Sequence, residues 1–263
     1  MLDEGKSYLA DAVRAASFVR ARLWRASDET LLRRFRQGDA AVEGYAEDYA
    51  YLIFGLLELV QADGDPQWLE WALTLQRRLD ERFWDPVDGG WYSTTGRDAS
   101  VLLRLKEEYD GAEPAASSVA VLNLLTLSHL TGDEAMADKV NRTLAMFGGS
   151  AAMRGRAAPM MLAALSTYHA GMPQIVLAGE RDAPDTRALA AVVRRRYQPA
   201  AVIVPVTGTR QEALARLLPW TAALTQRGGR ATAYVCRDFA CQAPATAPDD
   251  LDAQLNALSS RVA

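Results

Sequence analysis

Acids and tyrosines cluster where a strongly apolar helix is predicted to begin. Residues 44–57 read Gly-Tyr-Ala-Glu-Asp-Tyr-Ala-Tyr-Leu-Ile-Phe-Gly-Leu-Leu, with polar side chains in the first turn and apolar ones after it. A helix that is apolar on every side is buried on every side, so only its polar end can reach water or a ligand. Carboxylates beside aromatic rings are typical of sugar sites, because rings stack on sugars and paired acids transfer protons. The pattern predicts a pocket at the mouth of a helical bundle.

Three groups of side chains are predicted to meet at this end of the bundle. The first lies at the start of the apolar helix, the second in the segment 104–110, and the third at the start of a second apolar helix near residue 115. The predicted catalytic residues are Asp48, Lys106 and Asp110. The predicted ligand-binding residues are Tyr45, Glu47, Tyr49, Trp91, Arg104 and Ser117.

Each of these residues also has a structural alternative. Asp48 suits the first turn of a helix, where an acid is favoured by the helix dipole. Lys106 and Asp110 fit ion pairs in a solvated loop, and the tyrosines fit a core. Residues 89–92 read Gly-Gly-Trp-Tyr after Asp85-Pro86, a pattern that predicts a tight turn around Trp91.

Composition narrows the class of protein. The chain has 263 residues, a formal net charge of -4 and 49% hydrophobic residues, which predicts a globular protein and argues against nucleic-acid binding. Its apolar runs are too short for a bilayer, and the N-terminus lacks the layout of a signal peptide. We therefore expect a cytoplasmic protein with no membrane partner.

The chain offers no recognisable metal or cofactor motif. Four residues separate Cys236 from Cys241, which is neither a redox C-x-x-C spacing nor a zinc pair. We expect the two cysteines to be small buried apolar residues without a disulfide framework. No cofactor and no metal are expected.

The first two thirds of the chain repeat one pattern, in which an apolar helix, a Gly-Asp turn and an amphipathic helix follow one another. The copies are residues 46–83 and 115–147, with a third apolar helix at 157–170. This predicts a mainly α fold, a partial (α/α) toroid over residues 1–171. Lys6 to Trp24 would be an outer helix without its inner partner, so we expect the chain to begin inside a larger repeat domain. The alternative is a small bundle with an unpaired first helix.

The last third has a different pattern. Short apolar runs at residues 175–179 and 201–206 flank a predicted helix, which gives a β-α-β unit with parallel strands. A third strand is predicted at 232–236 and a closing helix from Pro248 to Arg261. Residues 172–263 are therefore predicted to form a small α/β appendage packed on the helices.

Several blocks of sequence together resemble a known family. The blocks are residues 44–50, 89–92, 104–106, 110–114 and 234–244, the last reading Tyr-Val-Cys-Arg-Asp-Phe-Ala-Cys-Gln-Ala-Pro. In this order they are similar to the C-terminal part of the thioredoxin-domain-containing family of spermatogenesis-associated protein twenty. The resemblance implies a six-hairpin toroid like that of six-hairpin glycosidases and N-acylglucosamine 2-epimerases, preceded by a thioredoxin-like domain.

The resemblance also bears on the expected activity. It implies a carbohydrate-type pocket, with a small sugar as ligand and sugar isomerase or epimerase chemistry. However, residues 114–117 read Pro-Ala-Ala-Ser where the family commonly has Pro-Ser-Gly-Asn, so an amide suited to holding a hydroxyl is replaced. Two hypotheses follow. One is a carbohydrate-active enzyme, and the other is a non-catalytic interaction module that partners itself or a separate thioredoxin-like chain.

Overall fold

Helices make up 53% of the chain, and two β-sheets of three and four strands complete the fold. The computed structural model describes residues 5–97, 99 and 101–259. In chain order its elements are α1 (Gly5–Arg22), β1 (Trp24–Arg25), β2 (Thr30–Arg36), β3 (Asp39–Glu43), α2 (Ala46–Asp63), α3 (Pro66–Phe83), α4 (Ala116–Thr131), α5 (Glu134–Arg154), α6 (Pro159–Ala170), β4 (Gln174–Ala178), α7 (Pro184–Arg194), β5 (Val202–Val206), α8 (Gln211–Leu217), β6 (Thr232–Arg237), β7 (Ala240–Cys241) and α9 (Pro248–Ser259).

The predicted fold class is wrong. The chain has a mixed α/β fold and does not form a mainly α, partial (α/α) six-hairpin toroid. The first sheet, β1-β2-β3, is antiparallel throughout and was missed entirely by the sequence argument. Strand β2 reads Thr-Leu-Leu-Arg-Arg-Phe-Arg, and its paired arginines obscure the alternation that marks a strand.

The two helices predicted over residues 46–83 are confirmed, and both have clear end signals. The closing helix begins at Pro248 as predicted, while its predicted end at Arg261 lies outside the described residues. The Asp65 side chain accepts a hydrogen bond from the Gln67 N–H at 3.1 Å, and Pro66 occupies the first turn of α3. Helix α2 ends at Gly64, which has a left-handed φ of 68°. Helix α4 packs against α2, α5 and α6, and the Asn123 side chain donates to the Ala50 carbonyl at 2.8 Å across the α2–α4 contact.

The predicted β-α-β unit is also confirmed. The second sheet has the strand order β5-β4-β6-β7, with β4 and β5 parallel and β6 antiparallel to β4. One face of this sheet contributes to the larger hydrophobic cluster together with the helices, through Val176, Val204 and Tyr234. The other face packs with α7 and α9 in a second cluster. The division at residue 171 into two domains stays a prediction.

Direct contacts join the helices to the second sheet. The Gln61 side chain accepts from the Ile203 N–H at 3.0 Å, and Arg210 donates to the Asp63 carbonyl at 2.9 Å. Gly64 lies against Pro205, so closely that a Cβ on Gly64 would come within 2.9 Å of the proline ring. The sheet is therefore held against the C-terminal end of α2. No helix in the described part of the chain has the length and apolarity needed to cross a bilayer.

The two cysteines are paired, which corrects the expectation of two free apolar residues. Cys236 and Cys241 form a disulfide between β6 and β7, where they stand opposite each other. Two turn residues, Asp238 and Phe239, adopt left-handed φ values of 49° and 63° and allow the chain to reverse tightly. This hairpin places two cysteines with four intervening residues side by side.

Candidate functional site

Arg33 of strand β2 organises the start of helix α2. Its guanidinium group lies 3.3 Å from Glu47 Oε1 and 3.6 Å from Asp48 Oδ2. The same group lies 4.3 Å from the centre of the Tyr45 ring, in a cation–π arrangement. Arg33 was not among the predicted site residues, because strand β2 was not predicted from the sequence.

Asp48 and Tyr49 serve the local fold. Asp48 Oδ2 accepts a hydrogen bond from the Tyr45 N–H at 2.8 Å, the arrangement expected of an acid that caps a helix. Tyr49 is fully buried, and its hydroxyl oxygen accepts from the Leu31 N–H at 2.9 Å. Burial raises the pKa of Tyr49, so the phenol stays protonated.

Asp110 connects the starts of two helices. Its Oδ1 accepts from the Ala115 N–H at 2.8 Å, just before α4. Its Oδ2 accepts from Met160 and Met161 at 2.7 and 3.4 Å, in the first turn of α6. The carboxylate is buried, and these donors are the ones that a helix start leaves without partners.

Lys106 forms a buried ion pair with Asp85, a residue that the sequence argument assigned only to a turn. The Nζ–Oδ2 distance is 2.6 Å, and the two side chains are 8% and 5% exposed. The Tyr92 hydroxyl donates to the same oxygen at 2.8 Å, while Lys106 also donates to the Gly89 carbonyl at 2.7 Å. The Lys106 ammonium holds the pKa of Asp85 well below its usual range.

The side chains of Arg104 and Trp91 also form hydrogen bonds within the protein. Arg104 donates to the Thr94 and Arg82 carbonyls at 3.0 and 3.3 Å. Trp91 is 1% exposed, and its indole N–H donates to Asp80 Oδ1 at 2.9 Å. A ring buried to this extent offers no open face for a sugar in this conformation.

The backbone of Trp91 is hydrogen-bonded to Ser117, the predicted site residue at the start of α4. Its N–H donates to the hydroxyl of Ser117 at 3.2 Å, and Ser117 is itself buried. Asp80, which the sequence argument did not single out, also accepts from Lys139 at 2.6 Å. Burial raises the pKa of Asp80, and the hydrogen bond from Lys139 opposes that shift.

The starts of α2 and α4 meet in one partly exposed region. Tyr51 of α2 donates through its hydroxyl to the Pro114 carbonyl at 2.6 Å, next to the start of α4. Burial, reinforced by the negative charges of Glu113, Glu47, Asp110 and Glu107, raises the pKa of Tyr51 to about 12. We call the side chains of Glu47, Tyr51, Glu107 and Glu113 the helix-start surface.

A separate cleft of about 760 Å³ lies on the opposite end of α2. Its lining includes Gln61 and Asp63 of α2, Arg187 of α7 and Ile203 of β5, and none of the predicted site residues. Among the described residues, no group of three or more His, Cys, Asp or Glu side chains is arranged to hold a metal ion.

Comparison with known proteins gives relatives that are much longer than this chain. No protein-family model matches. The chain is 41% identical to human spermatogenesis-associated protein 20 over 209 residues, 79% of this chain and 27% of the human protein. It is 36% identical to the mouse protein of the same name over 252 residues, 92% of this chain and 32% of that protein.

A more distant relative extends the same pattern. An uncharacterized protein of Caenorhabditis elegans is 28% identical over 265 residues, 96% of this chain and 35% of that protein. The chain thus spans about a third of the length of the curated relatives it matches. Over most of its own length, it is similar to a part of spermatogenesis-associated protein 20, as the sequence blocks indicated.

Proposed function

We propose that this chain is a non-catalytic interaction unit that packs against further protein through an exposed apolar segment. The engagement of Asp48, Lys106 and Asp110 supports this proposal, because each already has backbone or ion-pair partners. A general acid or base must be free to reach a substrate proton. Under this proposal the three residues hold helix starts and loops in place.

The observation that carries the proposal is an alternation along residues 103–106. Arg104 and Lys106 turn inward and are anchored, whereas Leu103 and Leu105 are 72% and 60% exposed. Leu102 before them is 99% exposed. A segment that is fixed by polar side chains while presenting leucines to solvent resembles an interaction surface.

We propose that these leucines bind an apolar protein surface. In the longer relatives, that surface would belong to the part of the protein that this chain does not match. The leucines that are exposed in this chain would be buried against that surface. Burial of one side chain of this size contributes about 1.5–3 kcal/mol to the free energy of association. Self-association and binding of a separate thioredoxin-like chain are the alternatives. Light scattering of this chain alone would show the first, and titration with a thioredoxin-like protein would show the second.

The double substitution Leu103→Ser/Leu105→Ser should weaken this association by at least about tenfold without changing stability, because both side chains face solvent in the isolated chain. The measurement is multi-angle light scattering and calorimetric titration of this chain with the unmatched part of the mouse relative, produced separately. Tyr197→Ser is the matched control, since Tyr197 is 92% exposed in a different segment. Absence of association by the unsubstituted chain, or an equal effect of the control, contradicts the proposal.

A second candidate function is carbohydrate binding, with isomerase or epimerase chemistry as its catalytic form. It is supported by the helix-start surface, where Tyr45 is 39% exposed beside Glu47. Burial, followed by the charge of Asp48, raises the pKa of Glu47, as in carboxyl groups that handle protons.

For this candidate, calorimetric titration with mono- and disaccharides should give saturable heat that Glu47→Gln removes, because the carboxylate would bond sugar hydroxyls. Asp39→Asn is the control, as Asp39 is an exposed acid on strand β3. No heat with any saccharide rejects the candidate for this chain.

A further inference from the structure

The two cysteines of the disulfide differ in their exposure to solvent. Cys236 lies in β6 and is fully buried, whereas Cys241 lies in the short edge strand β7 at an exposed position. The chain contains two cysteines in all, so there is no third cysteine within it to exchange with. A thiol from outside the chain therefore meets Cys241 first.

Backbone pairing also joins the two strands of the hairpin. Arg237 pairs with Ala240 across the turn, and the Gln242 N–H donates to the Val235 carbonyl at 2.9 Å. The disulfide joins residues five positions apart, and a loop this short restricts the unfolded chain less than a long one does. Its role as a structural cross-link is correspondingly small.

The turn of the same hairpin contacts the helices. The Phe239 ring lies 5.6 Å from the Trp220 ring. It also faces Gly132, in the turn between α4 and α5, where an added Cβ would lie 3.4 Å from the ring. Trp220 donates to the Leu130 carbonyl at 2.7 Å, and Arg237 donates to the Ala170 carbonyl at 3.3 Å. Opening the disulfide would therefore alter the contacts between the second sheet and the C-terminal ends of α4 and α6.

We propose that Cys236–Cys241 is a thiol–disulfide exchange site that reacts with a dithiol. A thiolate of the dithiol attacks Cys241 Sγ, the bond between the cysteines breaks, and Cys236 leaves as a thiolate that takes up a proton. The second thiolate of the reductant then attacks its own sulfur in the mixed disulfide and releases Cys241. Two electrons pass to this chain, and the dithiol leaves as a disulfide.

Trapping the reaction in the folded protein tests the proposal. The protein is treated without denaturant with dithiothreitol or, separately, with reduced glutathione, whose mixed disulfide cannot resolve by ring closure. Each reaction is quenched with N-ethylmaleimide, and the cysteines are mapped by mass spectrometry. We expect dithiothreitol to open the disulfide while the protein remains folded, and glutathione to be attached to Cys241. Amides of residues 237–242 and Gly132 should then exchange hydrogen faster, because the contact of Phe239 loosens. Opening only on global unfolding, or an adduct on Cys236, overturns the proposal.

Two single-thiol variants provide a matched pair. Cys236→Ser leaves the exposed thiol, and Cys241→Ser leaves the buried one. The first should react with a soluble aromatic disulfide reagent at least about tenfold faster than the second under native conditions, because access controls the exchange rate. Equal rates in two folded variants contradict the assignment. Should either variant fail to fold, the trapping result on the unsubstituted protein decides the question by itself.

Discussion

Replacing Asp110 with asparagine should lower the free energy of unfolding by about 3 kcal/mol, since charged hydrogen bonds to two helix starts are weakened together. The asparagine amide keeps the volume of the side chain but presents N–H groups toward the Met160 or Ala115 N–H. Urea unfolding followed by circular dichroism measures the change, with a constant slope indicating that the native fold is kept.

Glu107→Gln is the control for the Asp110 substitution. Glu107 is exposed in the same segment, so its substitution should change stability by no more than about 0.5 kcal/mol. If Asp110→Asn were as mild as this control, the carboxylate would not be holding the starts of α4 and α6.

Lys106→Met should lower the free energy of unfolding by about 3–5 kcal/mol, because it leaves the buried Asp85 carboxylate without its cation. The double variant Lys106→Met/Asp85→Asn should recover part of this loss, since it removes the uncompensated charge as well. Arg36→Met, a cation-to-methionine change at an exposed position, should be nearly neutral. Equal losses in the single and double variants would contradict a coupled pair.

The same pair has a defined pH dependence. The pKa of Asp85 is lowered in the folded state, so its contribution to stability is fully present above the ordinary value of 3.8. That contribution declines as the pH falls below this value, because the unfolded state then binds a proton that the folded state resists. Lys106→Met should therefore flatten the loss of stability below about pH 4. An unchanged acid slope would mean that the lysine does not set the pKa.

The sequence was informative where structure is local. Helix α3 was predicted with its observed ends, Pro66 and Phe83, because an N-cap and a proline lie next to each other at its start. The parallel pairing of β4 and β5 followed from a β-α-β pattern. In both cases the signals lie within the element or beside it.

Contacts between residues far apart in the chain could not be predicted from the sequence pattern. Asp110 meets Met160 across 50 residues, and Arg33 meets Glu47 through a sheet that the sequence did not reveal. The disulfide could have been predicted from the spacing of the cysteines, because a two-residue turn at Asp238-Phe239 places Cys236 opposite Cys241 in a hairpin. The resemblance located relatives correctly, but the fold that it implied did not include the first sheet.

Unfolding in the presence of sugars tests the central claim most directly, namely that Lys106 and Asp110 serve the fold and do not process a ligand. A ligand at a hundred times its Kd stabilises a folded protein by about 2.7 kcal/mol. We expect Lys106→Met and Asp110→Asn to lose the same stability with and without each saccharide. A saccharide that stabilises the unsubstituted chain and the Arg36→Met control, but neither of these two variants, would contradict the account.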